Sequence, residues 1–74
     1  MNYSKQLGAN IRRLRLKRGW SQEHLAEVSG LHRTYVSGVE RGVRNPTLSI
    51  IVQFADALKL PPAALLSGSA DGKK

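Results

Sequence analysis

Arg33, Thr34 and Ser37 are the residues of this chain with the clearest chemistry to offer. At helical spacing the three share a face, and they are hydrogen-bonding groups rather than a second apolar stripe. An α-helix of this kind fits the major groove of duplex DNA, where the first residues on its outer face reach base edges. The Arg33 guanidinium can offer two donors to guanine O6 and N7, or it can pair with a phosphate. Thr34 can bond a base edge or lay its methyl group against thymine. One good bidentate contact discriminates between bases by about 1–3 kcal/mol. Tyr35 either reaches a phosphate or sugar edge or packs on the preceding helix, and the sequence leaves both open.

Other chemistries fit less well. The chain has no cysteine, and its Ser, His and Asp residues show no spacing that suggests a nucleophile and its base, so an enzyme is not expected. His24 and His32 lack a cluster of His, Asp or Glu at metal-ligand spacing. No metal, cofactor or small-molecule ligand is expected. His24 reads as lying on a solvated helix face and His32 as capping or preceding a helix. The N-terminal helix is basic and amphipathic enough to raise the question of a membrane surface. Its apolar face is narrow, however, and is needed to cover the other helices.

Charge points the same way as the helix chemistry. Twelve Lys and Arg stand against five Asp and Glu, a net charge of +7 over 74 residues. Nine of the basic and three of the acidic residues lie in residues 1–44. That concentration suits a polyanion, nucleic acid before membrane, although many small soluble domains are equally basic. The length allows one domain and one core. No apolar run reaches the roughly 20 residues that span a bilayer, and the N-terminus lacks the apolar stretch of a signal peptide. A cytoplasmic protein with no membrane partner is the expectation.

Five short helices must position these groups. The first is expected over residues 5–17, with Ser4 as a candidate cap, Leu7, Ile11 and Leu14 facing the core, and Gly19 ending it. Trp20 precedes a good N-cap, Ser21, and is placed to staple back on the second helix, residues 22–29. Leu25 and Val28 form that helix's inner face, Ala26 permits a close crossing, and Gly30 supplies a turn that needs positive φ. Leu31 enters the core. The third helix spans residues 33–41, with Val36 and Val39 inward. Gly38 in its interior costs about 1 kcal/mol relative to alanine. Residues 42–46 form a loop, after which Thr47 or Asn45 caps a fourth helix over residues 48–58. Its core stripe is Leu48, Ile51, Phe54, Ala55 and Leu58. Pro61-Pro62 opens a fifth helix to residue 66, and residues 67–74 read as a disordered tail.

Three segments then carry a resemblance: Trp20-Ser21-Gln22-Glu23-His24-Leu25-Ala26, Arg33-Thr34-Tyr35-Val36-Ser37-Gly38-Val39-Glu40-Arg41-Gly42 and Arg44-Asn45-Pro46-Thr47-Leu48. In this order they resemble the Cro/CI family of helix-turn-helix regulators of bacteria and phages. The run from Arg33 to Arg41 is most similar to the controller proteins of restriction–modification systems. The resemblance covers roughly residues 5 to 66. It implies a compact all-α bundle of the lambda-repressor type, with a helix-turn-helix domain over residues 1–66 and the motif itself near 22–41. It also implies that Gln22 bonds a DNA phosphate at the start of the second helix, where free N–H groups favour an anion. By the same pattern Arg44 and Asn45 clamp the flanking strand, though Asn45 can equally serve only to make the turn before Pro46. Arg15 and Glu40 would form a structural bridge between the first and third helices. Gly38 departs from many phage repressors, which carry a long polar side chain there. It removes one base reader and could allow close backbone approach.

Apolar residues left over from the core, Ile50, Val52, Leu65 and Leu66, are expected to form a symmetric homodimer interface, with Leu65 the one best suited to the core instead. A dimer would read two half-sites of a palindromic operator about one helical turn apart. The function implied is transcriptional regulation by occupancy of double-stranded DNA, blocking RNA polymerase or recruiting it. The rival is an antitoxin or adaptor module that binds a protein partner through the same fold. The few residues after Leu66 argue against a long toxin-neutralising tail.

Overall fold

The computed structural model describes residues 3–67, and among these it contains five helices and no strand. Helix α1 spans Tyr3–Lys17, α2 Gln22–Ser29, α3 Arg33–Glu40, α4 Leu48–Leu58 and α5 Pro62–Leu66. The termini follow local chemistry. Ser21 Oγ accepts the His24 N–H at the start of α2, and Thr47 Oγ1 accepts the Ile50 N–H at the start of α4. Gly30 closes α2 in the left-handed region at φ 77°, its N–H donating to the Ala26 carbonyl. Lys59 closes α4 in the same conformation at φ 58°, without glycine's freedom. Pro62 occupies the first turn of α5, where its missing N–H costs nothing.

The core is shared by all five helices. Ile11, Leu25, Val36, Val39, Phe54, Ala55, Leu58 and Leu65 are wholly buried, with Leu7, Ala26 and Ile51 nearly so. Leu14, Trp20 and Leu31 pack against this cluster from its margin. Helix α1 crosses α3 closely at Gly8, where an added Cβ would lie 2.7 Å from the Glu40 carbonyl oxygen. Asn10 is buried beside Leu7 and Ile11 because its amide donates to the Leu65 and Ser67 carbonyls at 2.9 and 3.0 Å. These bonds close the end of α5, whose last carbonyls have no helical partner. Arg18 likewise donates to the Leu58 carbonyl at the end of α4.

Several expectations need correction. Ser4 lies inside α1 rather than capping it, and α3 stops one residue earlier than expected, at Glu40. Val28 is 44% exposed, and Ser29 takes the inward position instead, its hydroxyl bonded to the Ala26 carbonyl. Leu48 is 69% exposed, because it sits in the first turn of α4 before that helix meets the core. Leu65, grouped with the dimer residues, is wholly buried inside the protomer. Ser67 is held by Gln6 and Asn10 rather than beginning a loose tail. The remainder of that expectation, residues 68–74, lies outside the described residues.

Candidate nucleic-acid interface

The short turn through Gly30, Leu31 and His32 sets α3 against α2, and Leu25, Ala26, Val36 and Val39 seal the contact. His32 stands at the N-cap of α3 without a side-chain cap bond, so that end of the helix is open. Arg33 and Thr34 are exposed in its first turn, and Ser37 and Tyr35 are half-buried. Hydrogen-bonding groups therefore occupy the outer side of α3 while both valines are spent on the core. Arg44 and Asn45, just beyond the helix, are also exposed.

Two residues expected at the edges of this surface are already engaged within the protein. The Gln22 side-chain amide donates to Glu40 Oε1 at 3.0 Å. Asn45 Oδ1 accepts the Ser4 hydroxyl at 3.3 Å, which joins the loop to the first turn of α1. Arg44 does not simply project from its loop: its guanidinium lies over the Tyr35 ring, 5.8 Å from the ring centre.

Behind α3 the Arg15–Glu40 pair forms as expected and is bidentate. Nε donates to Oε2 at 2.7 Å and Nη2 to Oε1 at 2.9 Å, while Nη1 donates to the Trp20 carbonyl at 2.7 Å. The Glu40 side chain is 2% exposed. The carboxylate is thus turned away from any polyanion docked on the outer face. The hydrogen bond to Glu40, with its negative charge, raises the Arg15 pKa above the ordinary arginine value against the opposing effect of burial. A raised pKa means that this contribution to stability is fully present below the ordinary value. It is lost only as the pH rises through the folded-state value, far into the alkaline range.

In the first turn of α2, His24 is exposed and its ring meets Trp20 edge-on, with centroids 4.7 Å apart, while Arg18 lies over the Trp20 ring. Gly38 is buried rather than presented to an incoming duplex. Within the protein, Arg44 is what approaches it closely, and a side chain at this position would have to displace the Arg44 stem. Nothing in a local window announces this, because the approaching residue lies beyond the end of the helix.

On the potential dimer side, Leu66 is exposed and Ile50 and Val52 are half-buried. Leu48 lies one helical turn before Val52 and adds an exposed apolar group to the same stretch of α4. Among the described residues no helix is long and apolar enough to cross a membrane, and no group of three or more His, Cys, Asp or Glu could hold a metal ion.

The helix-turn-helix family model matches residues 11–65. The control protein C.SmaI of Serratia marcescens is 46% identical over 67 residues, covering 90% of this chain and 80% of that protein. The crystal structure of the restriction–modification controller protein C.AhdI from Aeromonas hydrophila superposes with a TM-score of 0.82 at 48% identity, covering 84% of this chain and 94% of that one. The controller protein C.Esp1396I, solved as a tetramer in complex with its natural 35-base-pair operator, superposes with a TM-score of 0.81 at 32% identity, covering 88% and 86% of the two chains.

Proposed function

This chain belongs to the helix-turn-helix family, and on that premise we propose that it regulates transcription by binding a palindromic operator in duplex DNA as a homodimer, in the manner of a controller protein. The observation that carries the reading is the two-sided character of α3. Its apolar residues are buried, and its outer side presents Arg33 and Thr34 at an uncapped N-terminus beside half-buried Ser37. In this reading Arg33, Thr34 and Ser37 meet base edges. Gln22, Tyr35, Arg44 and Asn45 hold the sugar–phosphate strands. The Gln22 amide keeps a second N–H for a phosphate while its first is bonded to Glu40. The relative solved on its operator is a tetramer, which supports assembly on DNA. Ile50, Val52 and Leu66, extended by Leu48, supply the dimer contact, and the net charge of +7 favours the encounter with DNA.

The protein then acts in the cytoplasm by occupancy, excluding RNA polymerase from a promoter or recruiting it, with no catalytic step of its own. The test is selection of bound duplexes from a random pool at near-physiological salt, since a basic protein binds any DNA at low salt. The expected product is an inverted repeat of fixed spacing. A pool without enrichment refutes the reading.

A further inference from the structure

Gly38 is buried in the last turn of α3, and Arg44 is the residue that covers it. The Gly38 carbonyl accepts the backbone N–H groups of Val43 at 3.0 Å and Arg44 at 3.3 Å, which folds the loop back over the last turn of the helix. A Cβ at Gly38 would lie 2.7 Å from Arg44 Cγ and 3.4 Å from Arg44 Nε. The missing side chain therefore leaves the slot in which the Arg44 stem lies. From that slot the guanidinium passes over the ring of Tyr35, which shares a face of α3 with Gly38 at a spacing of three residues.

We infer that Gly38 is a positioning residue for DNA recognition: by leaving room for the Arg44 stem, it makes a loop arginine part of the α3 surface, held against Tyr35 before any duplex arrives. This rests on the reading that the outer side of α3 faces DNA. An arginine free to sample its rotamers must be ordered on binding. The slot and the ring do that ordering in advance, a gain of about twofold to tenfold in affinity for each subunit bound. Gly38 thus gives up a base reader of its own and installs the guanidinium and phenol as one unit for the sugar–phosphate edge of the groove.

The test compares Gly38→Ala, Arg44→Ala and the double variant on the inverted-repeat duplex recovered from the random pool, with thermal unfolding measured alongside. Alanine is the better helix former, but the added Cβ meets Arg44 Cγ, near the root of that side chain, so Arg44 must leave the slot by rotating about χ1. Gly38→Ala is therefore expected to keep a melting temperature near wild type, helix propensity offsetting the displaced arginine, while weakening binding by about twofold to tenfold per subunit. A purely structural role would not lower affinity in a protein whose stability is unchanged. Arg44→Ala should weaken binding and lower the salt slope by about one per subunit, about two for the dimer. The double variant should bind no worse than Arg44→Ala alone, because Gly38 acts only through Arg44. Wild-type affinity in Gly38→Ala, or a loss that adds fully to that of Arg44→Ala, overturns the inference while leaving Arg44 as a DNA contact. Wild-type affinity in Arg44→Ala overturns the inference together with the assignment of Arg44 to DNA.

Discussion

Gly8 and Gly38 both stand inside helices, and both are buried, by opposite kinds of neighbour. At Gly8 an added methyl group meets backbone, the carbonyl oxygens of Val39 and Glu40. At Gly38 it meets the stem of one arginine. The first neighbour cannot move without separating α1 from α3, whereas the second can rotate away. One short helix therefore has a rigid side and an adjustable side. The rigid side carries Val39, Glu40 and the bond to Arg15, and the adjustable side carries Gly38, Tyr35 and Arg44. If α3 is the recognition helix proposed above, the first side fixes where it sits, and the second sets its contact groups through side-chain packing that a single substitution can undo.

The largest test of this contrast is on the rigid side. Glu40→Ala leaves the Arg15 guanidinium buried without its partner and is expected to cost about 3–5 kcal/mol, read from denaturant unfolding. It should also weaken operator binding by releasing Gln22. An unfolding midpoint within error of wild type would show that the pair does not lock the crossing. Gly8→Ala follows, with an overpacking cost of about 1–3 kcal/mol at the upper end of that range, since only backbone can yield. Equal stability changes in Gly8→Ala and Gly38→Ala would erase the distinction between the two sides. Arg33→Ala probes the adjustable side and should leave the melting temperature unchanged. It is expected to remove about 1–3 kcal/mol of base discrimination at one operator position, seen as relaxed preference in a repeated selection. Uniform weakening on all duplexes would reassign Arg33 to a phosphate. The smallest effect belongs to neither side. Lys59→Gly relieves a left-handed residue and should stabilise by about 1 kcal/mol, with operator affinity unaltered.

The sequence made the elements legible wherever a local signal ended a helix. Ser21 and Gly30 bound α2, Thr47 starts α4, and Pro62 opens α5. The Arg15–Glu40 bridge came from family resemblance, and the geometry bears it out. Long-range packing is what a local reading missed. Val28 and Leu48 sit at plausible positions on a helical repeat, but among the described residues no second element covers them, and periodicity does not reveal whether a partner exists. Gly8, Asn10 and Gly38 owe their environments to residues at 39–40, 65–67 and 44. The groups proposed to touch DNA were legible as a set of polar residues at helical spacing. The coupling of Arg44 to Tyr35 through Gly38 was not, because it depends on how the loop returns over the helix.

The clasp that Gln6 and Asn10 make on the end of α5 has a consequence for the order of folding. The Gln6–Ser67 bond joins positions 61 apart in the chain and the Asn10–Leu65 bond positions 55 apart, whereas α2 and α3 are neighbours in sequence. Closing the longer loops costs more chain entropy, so the helix-turn-helix should assemble first and α5 should dock after the rate-limiting step. Asn10→Ala is then expected to speed unfolding while leaving the refolding rate nearly unchanged, a φ-value near zero in a chevron experiment. The segment that carries Leu66, proposed above for the dimer contact, would be the last to order and the first to open.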